Sequence, residues 1–324
     1  MPGRANKSGS MRILSSAQLV LKQLMRGSQQ LVSMERELED LKILSAAPLV
    51  RGVRSACIYD NIQEAEFKVF SQFGDDGIIQ YLITHTEIPV AQQKFIEFGV
   101  ENYRESNTRF LLMNNNWSGL IFDGSAENIN SIKNDPIYWK YDLTAVQSFI
   151  DRNNINDLIA ANGFAGDIGI LSIDVDGNDY WIWEKIEVVN PVIVIIEYNS
   201  LFGGTRAVAV PYDPVFSCNK AHYSNLYWGS SLKALGQLAE RKGYAFVGAD
   251  SHGNNAYFVA RNKLGSLKQV SVEDGYVCSK FRESRDETGR LTYVSGPRRL
   301  QLIEHMQVFD FEKGQLISLK ELGD

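Results

Sequence analysis

Three carboxylates stand at matching places in this sequence. Glu97 in KFIEFG, Asp123 in GLIFDG and Asp174 in ILSIDVDG each close a short run of Ile, Phe and Leu, and a glycine follows soon after. Helix-compatible stretches separate the runs. Apolar runs of strand length alternating with helical stretches predict βαβ units and a buried parallel sheet. In such sheets ligands bind outside the carboxyl ends of the strands. A row of carboxylates there repels phosphate. It suits a ligand that carries an ammonium group and ribose hydroxyls.

Other residues join them. The run PVIVIIEYN at 191–199 ends in Glu197 and Asn199. With Asp174 they offer three hard oxygen ligands from neighbouring strand ends, a set that would hold Mg²⁺ together with several waters. The same groups could instead hydrogen-bond a substrate, and the residues leave both readings open. His222, on the long segment after that run, is the histidine best placed to act as general base. The loop DVDGND has the acid density of a calcium loop but lacks the closing Glu, since Lys185 falls there. Asp176 and Asp179 are expected to support Asp174, to meet the substrate or to cap the next helix.

The elements that position these residues read as follows. Strands are expected at 94–100, 118–124, 138–142, 169–174 and 191–199, with Asp142 ending the third. A helix is expected over 145–162. The turn SQFGDDG at 71–77 enters another, with Asp75 and Asp76 in the first turn, where the backbone dipole favours negative charge. Gln72 on that turn can face the site. Asp123 lies 26 residues beyond Glu97, the placement of an acid that accepts from a ribose. The stretch 201–225 is long and aromatic, as in a lid over an acceptor, with Tyr212 among its candidates. Residues 244–249 and 255–261 should form an edge hairpin. Neither GxGxxG nor GxxxxGK[ST] occurs, which disfavours a dinucleotide or a P-loop.

Upstream, Leu19, Leu21, Leu24 and Met25, then Leu31, Met34, Leu38, Leu41 and Leu44 recur at helical spacing. They predict an amphipathic helix or helix pair with a break at Gly27–Ser28, packed on the domain or serving as a self-association arm. The division expected is a disordered leader at 1–15, a helical extension at 16–60, a catalytic domain at 61–262 and an extension at 263–324 on the acceptor side. A net charge of −6 argues against a nucleic-acid partner. Three scattered cysteines suit reduced thiols and a cytoplasmic protein, and no apolar run is long enough to span a membrane.

The order of elements resembles a class I S-adenosylmethionine-dependent methyltransferase, a doubly wound, Rossmann-like, mostly parallel seven-stranded sheet. More closely, SQFGDDGIIQYL, FIEFGVENYRESNTRFLL, GLIFDGSAENI and LSIDVDGNDYWIW resemble the FkbM-like methyltransferases. The resemblance implies O-methyl transfer to a hydroxyl of a sugar, glycan or natural product, a small-molecule or glycan acceptor. It implies that Glu97 and Gly99 line the methionine end of the cofactor, Asp123 takes the ribose, Asp142 lies near the adenine and Asp174 sits by the sulfonium. Asn107 and Gly124 are expected on the same ligand, and Gln72, Asp176, Tyr198 and Tyr212 on the acceptor. The usual glycine-rich turn is reduced to Gly99. Two other readings remain open, a non-catalytic protein of this fold and a metal-dependent nucleotide-sugar transferase.

Overall fold

The structure, a computed structural model, describes residues 7–322, without the side chains of 7–21, 24, 28, 29 and 32. The chain divides into two compact units, Met1–Pro48 and Leu49–Asp324. The first is helical. Helix α1 (Lys7–Ser55) is continuous for 49 residues, so no break falls at Gly27–Ser28. A glycine in a helix interior costs about 1 kcal/mol, too little to interrupt so long a hydrogen-bond ladder. The helix begins inside the stretch expected as a leader, and residues 1–6 of that leader lie outside the described residues.

The second unit is built on a seven-stranded sheet. Its strands are β1 (Lys94–Phe98), β2 (Ser118–Asp123), β3 (Leu143–Gln147), β4 (Gly166–Ile173), β5 (Val189–Glu197), β7 (Tyr244–Ala249) and β8 (Asn255–Ala260); β6 (Val208–Ala209) lies elsewhere. They lie in the order β3-β2-β1-β4-β5-β8-β7. The first five are parallel, and β8 and β7 close the edge as an antiparallel hairpin. This is a doubly wound, Rossmann-like, mostly parallel sheet. Strands β4 and β5 are covered on both faces, which is why Ile168–Ile173 and Val192–Ile196 are almost wholly apolar rather than alternating, Ser172 excepted. The chain order reverses between β1 and β4, and that is the switch point where such sheets leave a crevice.

Three further helices lie along the first part of the sheet: α2 (Asp75–His85) before β1, α3 (Arg109–Asn115) between β1 and β2, and α4 (Ala126–Asn134) between β2 and β3. A small second sheet joins β6 to β9 (Gln307–Asp310) and β10 (Gln315–Ser318), which ties the C-terminal segment to the unit.

Strand β3 corrects one expectation. Residues Ile137–Lys140 are helical, and the strand starts after Asp142. Pro136 supplies a helical φ of −54°, and Asp135 Oδ1 accepts from Ile137 N at 2.9 Å, so a helical turn forms where a strand was expected. The helix expected over 145–162 is confined to Ile155–Ala161.

Candidate active site

The carboxyl ends of the five parallel strands open on one cleft of about 720 Å³. Its centre is the switch point. There Gly99 has a φ of 71°, and a Cβ on it would lie 1.7 Å from the Asp174 carbonyl oxygen. Only glycine lets the turn leaving β1 press against the end of β4.

The turn after Gly99 has no further glycine, yet Glu101 and Tyr103 take φ values of 47° and 62°. Such conformations cost non-glycine residues about 1 kcal/mol or more each. The surroundings hold them. Tyr103 is fully buried, its hydroxyl is 2.9 Å from Thr108 Oγ1, and its carbonyl accepts from Arg109 Nη1 at 2.9 Å. Glu97 organises the other side. Its carboxylate accepts from Ser106 Oγ at 2.6 Å, Asn107 N at 2.9 Å, Thr108 N at 3.1 Å and the Thr108 hydroxyl. Burial nevertheless lifts its pKa above the usual range. Glu97, Gly99 and Asn107 all line the cleft. Glu97 thus shapes the loop, and Asn107 Nδ2 reaches Ser172 Oγ at 3.2 Å.

At the β2–β3 side the wall is Asp123, Gly124, Ser148, Phe149 and Ile150. Asp123 Oδ1 caps the entry to α4, accepting from Ser125 N at 2.8 Å and Asn128 Nδ2 at 3.0 Å. Its Oδ2 takes neither bond. Phe149 is 59% exposed and offers an apolar ring beside Gly124.

On the other side of the switch point the charges crowd. Asp174, Asp176 and Glu197 can each place one oxygen within 4.8 Å of the others. Burial, then Asp176, Asp179 and Glu97, push the Asp174 carboxyl well above its ordinary range. Burial, then Asp174, does the same to Glu197. Burial raises Asp176. Such a group of carboxylates demands a proton or a cation. Glu197 Oε2 is buried with no hydrogen-bond partner, and so is Asn178 Oδ1 nearby in the lining. Asp179 lies beneath. Its two oxygens accept from Val175 N at 2.8 Å and Gly177 N at 3.0 Å, which folds the DVDGND loop, and burial moves its pKa up to about 6.

The remaining wall comes from the segment after β5 and from the C-terminal extension, with Trp228, Phe281 and Arg299. Arg299 is the only lysine or arginine among the described lining residues; its Nη1 donates to Phe281 O at 2.8 Å, and its Nε is buried without a partner. Cys218 also lines the cleft, but burial and then Asp176, Glu197 and Glu283 push its thiol up to about 12, so it is no nucleophile.

Several expected site residues fall elsewhere. Asp142 precedes β3, at the end of the sheet opposite the cleft, and accepts from Ser118 Oγ at 2.6 Å. His222 does not line the cleft; it is buried, its Nδ1 is 2.7 Å from Ser224 Oγ, and its ring packs 5.5 Å from His305. Burial, then His305, lowers its pKa. Tyr212 is also outside the lining, where its hydroxyl accepts from Arg152 N at 3.2 Å under the Arg152 guanidinium. Asn199 lines the cleft but its amide is spent. Oδ1 accepts from Leu201 N at 3.0 Å, and Nδ2 donates to Leu226 O and Trp228 O, both at 3.0 Å. These bonds fix the Asn199 amide against the backbone, and the acidic group beside it is Asp174, Asp176 and Glu197. Gln72 and Tyr198 line the cleft; the Tyr198 hydroxyl donates to Val277 O at 2.7 Å, and burial holds it protonated.

No protein-family model matches the chain, and no curated protein matches it. Solved structures similar to it include a Methanococcus jannaschii fibrillarin pre-rRNA processing protein, at 10% identity and a TM-score of 0.36 over 64% of this chain and 85% of that one. Another is M. capricolum TrmK in complex with S-adenosylhomocysteine, at 13% and 0.33 over 59% and 76%. A third is an O-methyltransferase from Bacillus cereus in complex with the same product, at 11% and 0.29 over 55% and 82%. Likenesses this low decide nothing about chemistry, which rests on the chain's own sheet order and cleft.

Proposed function

We propose that this chain is an S-adenosylmethionine-dependent O-methyltransferase, FkbM-like, acting on a hydroxyl of a glycan or small molecule. One observation carries the reading: carboxylates from four strand ends line a single cleft astride the switch point. A cation with a ribose is the ligand such a cleft neutralises. Asp123 Oδ2 would accept from the ribose hydroxyls, Phe149 and Ile150 would cover the adenine, and the Glu97-held loop would receive the amino-acid end. The bound cofactor supplies an electrophilic methyl group for in-line displacement.

The chain's own work is to hold the acceptor oxygen in line and take its proton. With His222 outside the cleft, Asp174 in its ionised form is the base at the acceptor side. Asp174, Asp176 and Glu197 are also the residues that would hold Mg²⁺, whose charge would lower the pKa of a neighbouring hydroxyl. Arg299 gives the acceptor wall a guanidinium, which suits a hydroxyl flanked by a carboxylate or phosphate.

Isothermal titration with S-adenosylhomocysteine tests the cofactor. Binding is expected, and its absence, with binding of a nucleotide diphosphate and Mn²⁺ instead, would turn the assignment to a nucleotide-sugar transferase. Binding without transfer to any of a panel of glycans and small hydroxyl acceptors favours the non-catalytic reading. Titration with Mn²⁺ tests the metal. One site is expected, lost in Glu197→Gln; no binding in the wild type removes the metal and leaves Asp174 as base.

A further inference from the structure

Helix α1 carries a stripe apart from the cleft, none of whose lining residues, among the described residues, precedes Gln72. Leu31, Met34, Leu38 and Leu41 are spaced by three, four and three residues. They are 63, 58, 57 and 55% exposed. Four large apolar side chains in water along one helix are costly, at roughly 1.5 kcal/mol or more of burial forgone for each. In sequence the same register runs back through Leu24, Val20, Ala17 and Ile13, interrupted at Gly27. This is the 3.5-residue period of a coiled-coil seam, with Leu31 and Leu38 at one core position and Met34 and Leu41 at the other.

The flanking charges say what covers it. In this register Glu37 and Lys42 occupy the two positions that border the seam, five residues apart, and both are exposed. In a parallel, in-register pair, Glu37 meets Lys42 of the partner subunit, and the contact occurs twice. An antiparallel pair that keeps the four apolar residues together sets Glu37 near its own counterpart, and Glu35 likewise. We infer that α1 pairs in parallel with α1 of a second copy of this chain, through Leu31, Met34, Leu38 and Leu41. The acids beside the stripe, Glu35, Glu37, Glu39 and Asp40, oppose the competing occupant, an anionic membrane surface.

Light scattering of the full chain should give the mass of a dimer at micromolar concentration. Leu31→Asp with Leu38→Asp should give a monomer that still folds by circular dichroism, because neither side chain is buried within a single chain. Glu37→Lys should raise the dimer dissociation constant at least tenfold, and adding Lys42→Glu should restore it. In a background with Cys57, Cys218 and Cys278 replaced by Ser, Leu31→Cys should cross-link on mild oxidation, which only a parallel register allows. A monomeric wild type, a dimer that survives the double Asp variant, a failed charge-swap rescue, or a monomer that co-sediments with anionic vesicles would each overturn the proposal.

Discussion

Asp123 does two jobs with two oxygens, and substitution can separate them. Asp123→Asn keeps an acceptor for the turn into α4 but removes the charge offered to a ribose. It should weaken S-adenosylhomocysteine binding about 10- to 100-fold by titration calorimetry, the equivalent of about 1.5–3 kcal/mol for a hydrogen bond to a charged group. Its melting temperature should hardly move. Asp123→Ala should lose the cap as well, at about 1 kcal/mol. Asp76 poses the opposite case, a carboxylate that shapes the fold from outside the cleft. Its Oδ2 accepts from Val69, Phe70 and Ser71 N at 2.7–2.8 Å and from Ser71 Oγ at 2.9 Å, yet burial outweighs these bonds and lifts its pKa to about 6. With a folded pKa above the unfolded one, the native state holds the proton longer. Stability from this group is therefore present below about pH 4 and lost as pH rises to about 6. Denaturation across that range should show the wild type losing up to about 3 kcal/mol relative to Asp76→Asn, which stays neutral. Identity alone reveals neither role. The sequence marks Glu97, Asp123, Asp174 and Glu197 because each ends an apolar run. It cannot show that Glu97 is already bonded by its own loop, that Asn199 is spent on backbone, or that His222 is turned toward His305.

At the scale of elements, phase decided what could be read. Strands β1, β2, β4 and β5 are legible because both faces are buried and their runs are mostly apolar. Strand β3 lies at the sheet edge, so LTAVQ alternates between buried and half-exposed, while the aromatic run before it imitates a strand. Taking that run as the strand places Asp142 at the wrong end and hides Ser148 and Phe149, which follow the true strand into the cleft. The alternation of LTAVQ was the signal that could have found them. The turn after β1 was harder still. Its missing glycines suggest a damaged cofactor loop, but burial of Tyr103 and the bonds to Glu97 and Arg109 hold the left-handed residues in place of glycine. Gly99 alone has no substitute. Gly99→Ala would set a methyl group against the Asp174 carbonyl and strain the positive φ, costing about 3 kcal/mol or more. The expected result is a melting temperature lower by several degrees and loss of S-adenosylhomocysteine binding. A variant that binds normally would show that the β1 and β4 exits need not touch.

Over the whole molecule, chemistry and length are separate. Every residue that lines the cleft lies between Gln72 and Arg299, and the C-terminal segment that contributes Ser279, Phe281 and Arg299 is tied back by β9 and β10. No helix among the described residues is long and apolar enough to cross a membrane, so α1 is not such a span. Its last turns belong to the second unit, where Val50 and Val53 are buried. The rest carries the exposed stripe. A chain beginning at residue 44 keeps Val50 and Val53 and every lining residue, and it loses the seam. It should therefore fold, melt within a few degrees of the full chain, and bind S-adenosylhomocysteine with unchanged affinity, while running as a monomer in light scattering. The signs of these outcomes are independent. Lost cofactor binding in a folded, truncated monomer would mean that pairing of the long helix completes the cleft. Unchanged binding would mean that the helix sets how many sites travel together and takes no part in what each does.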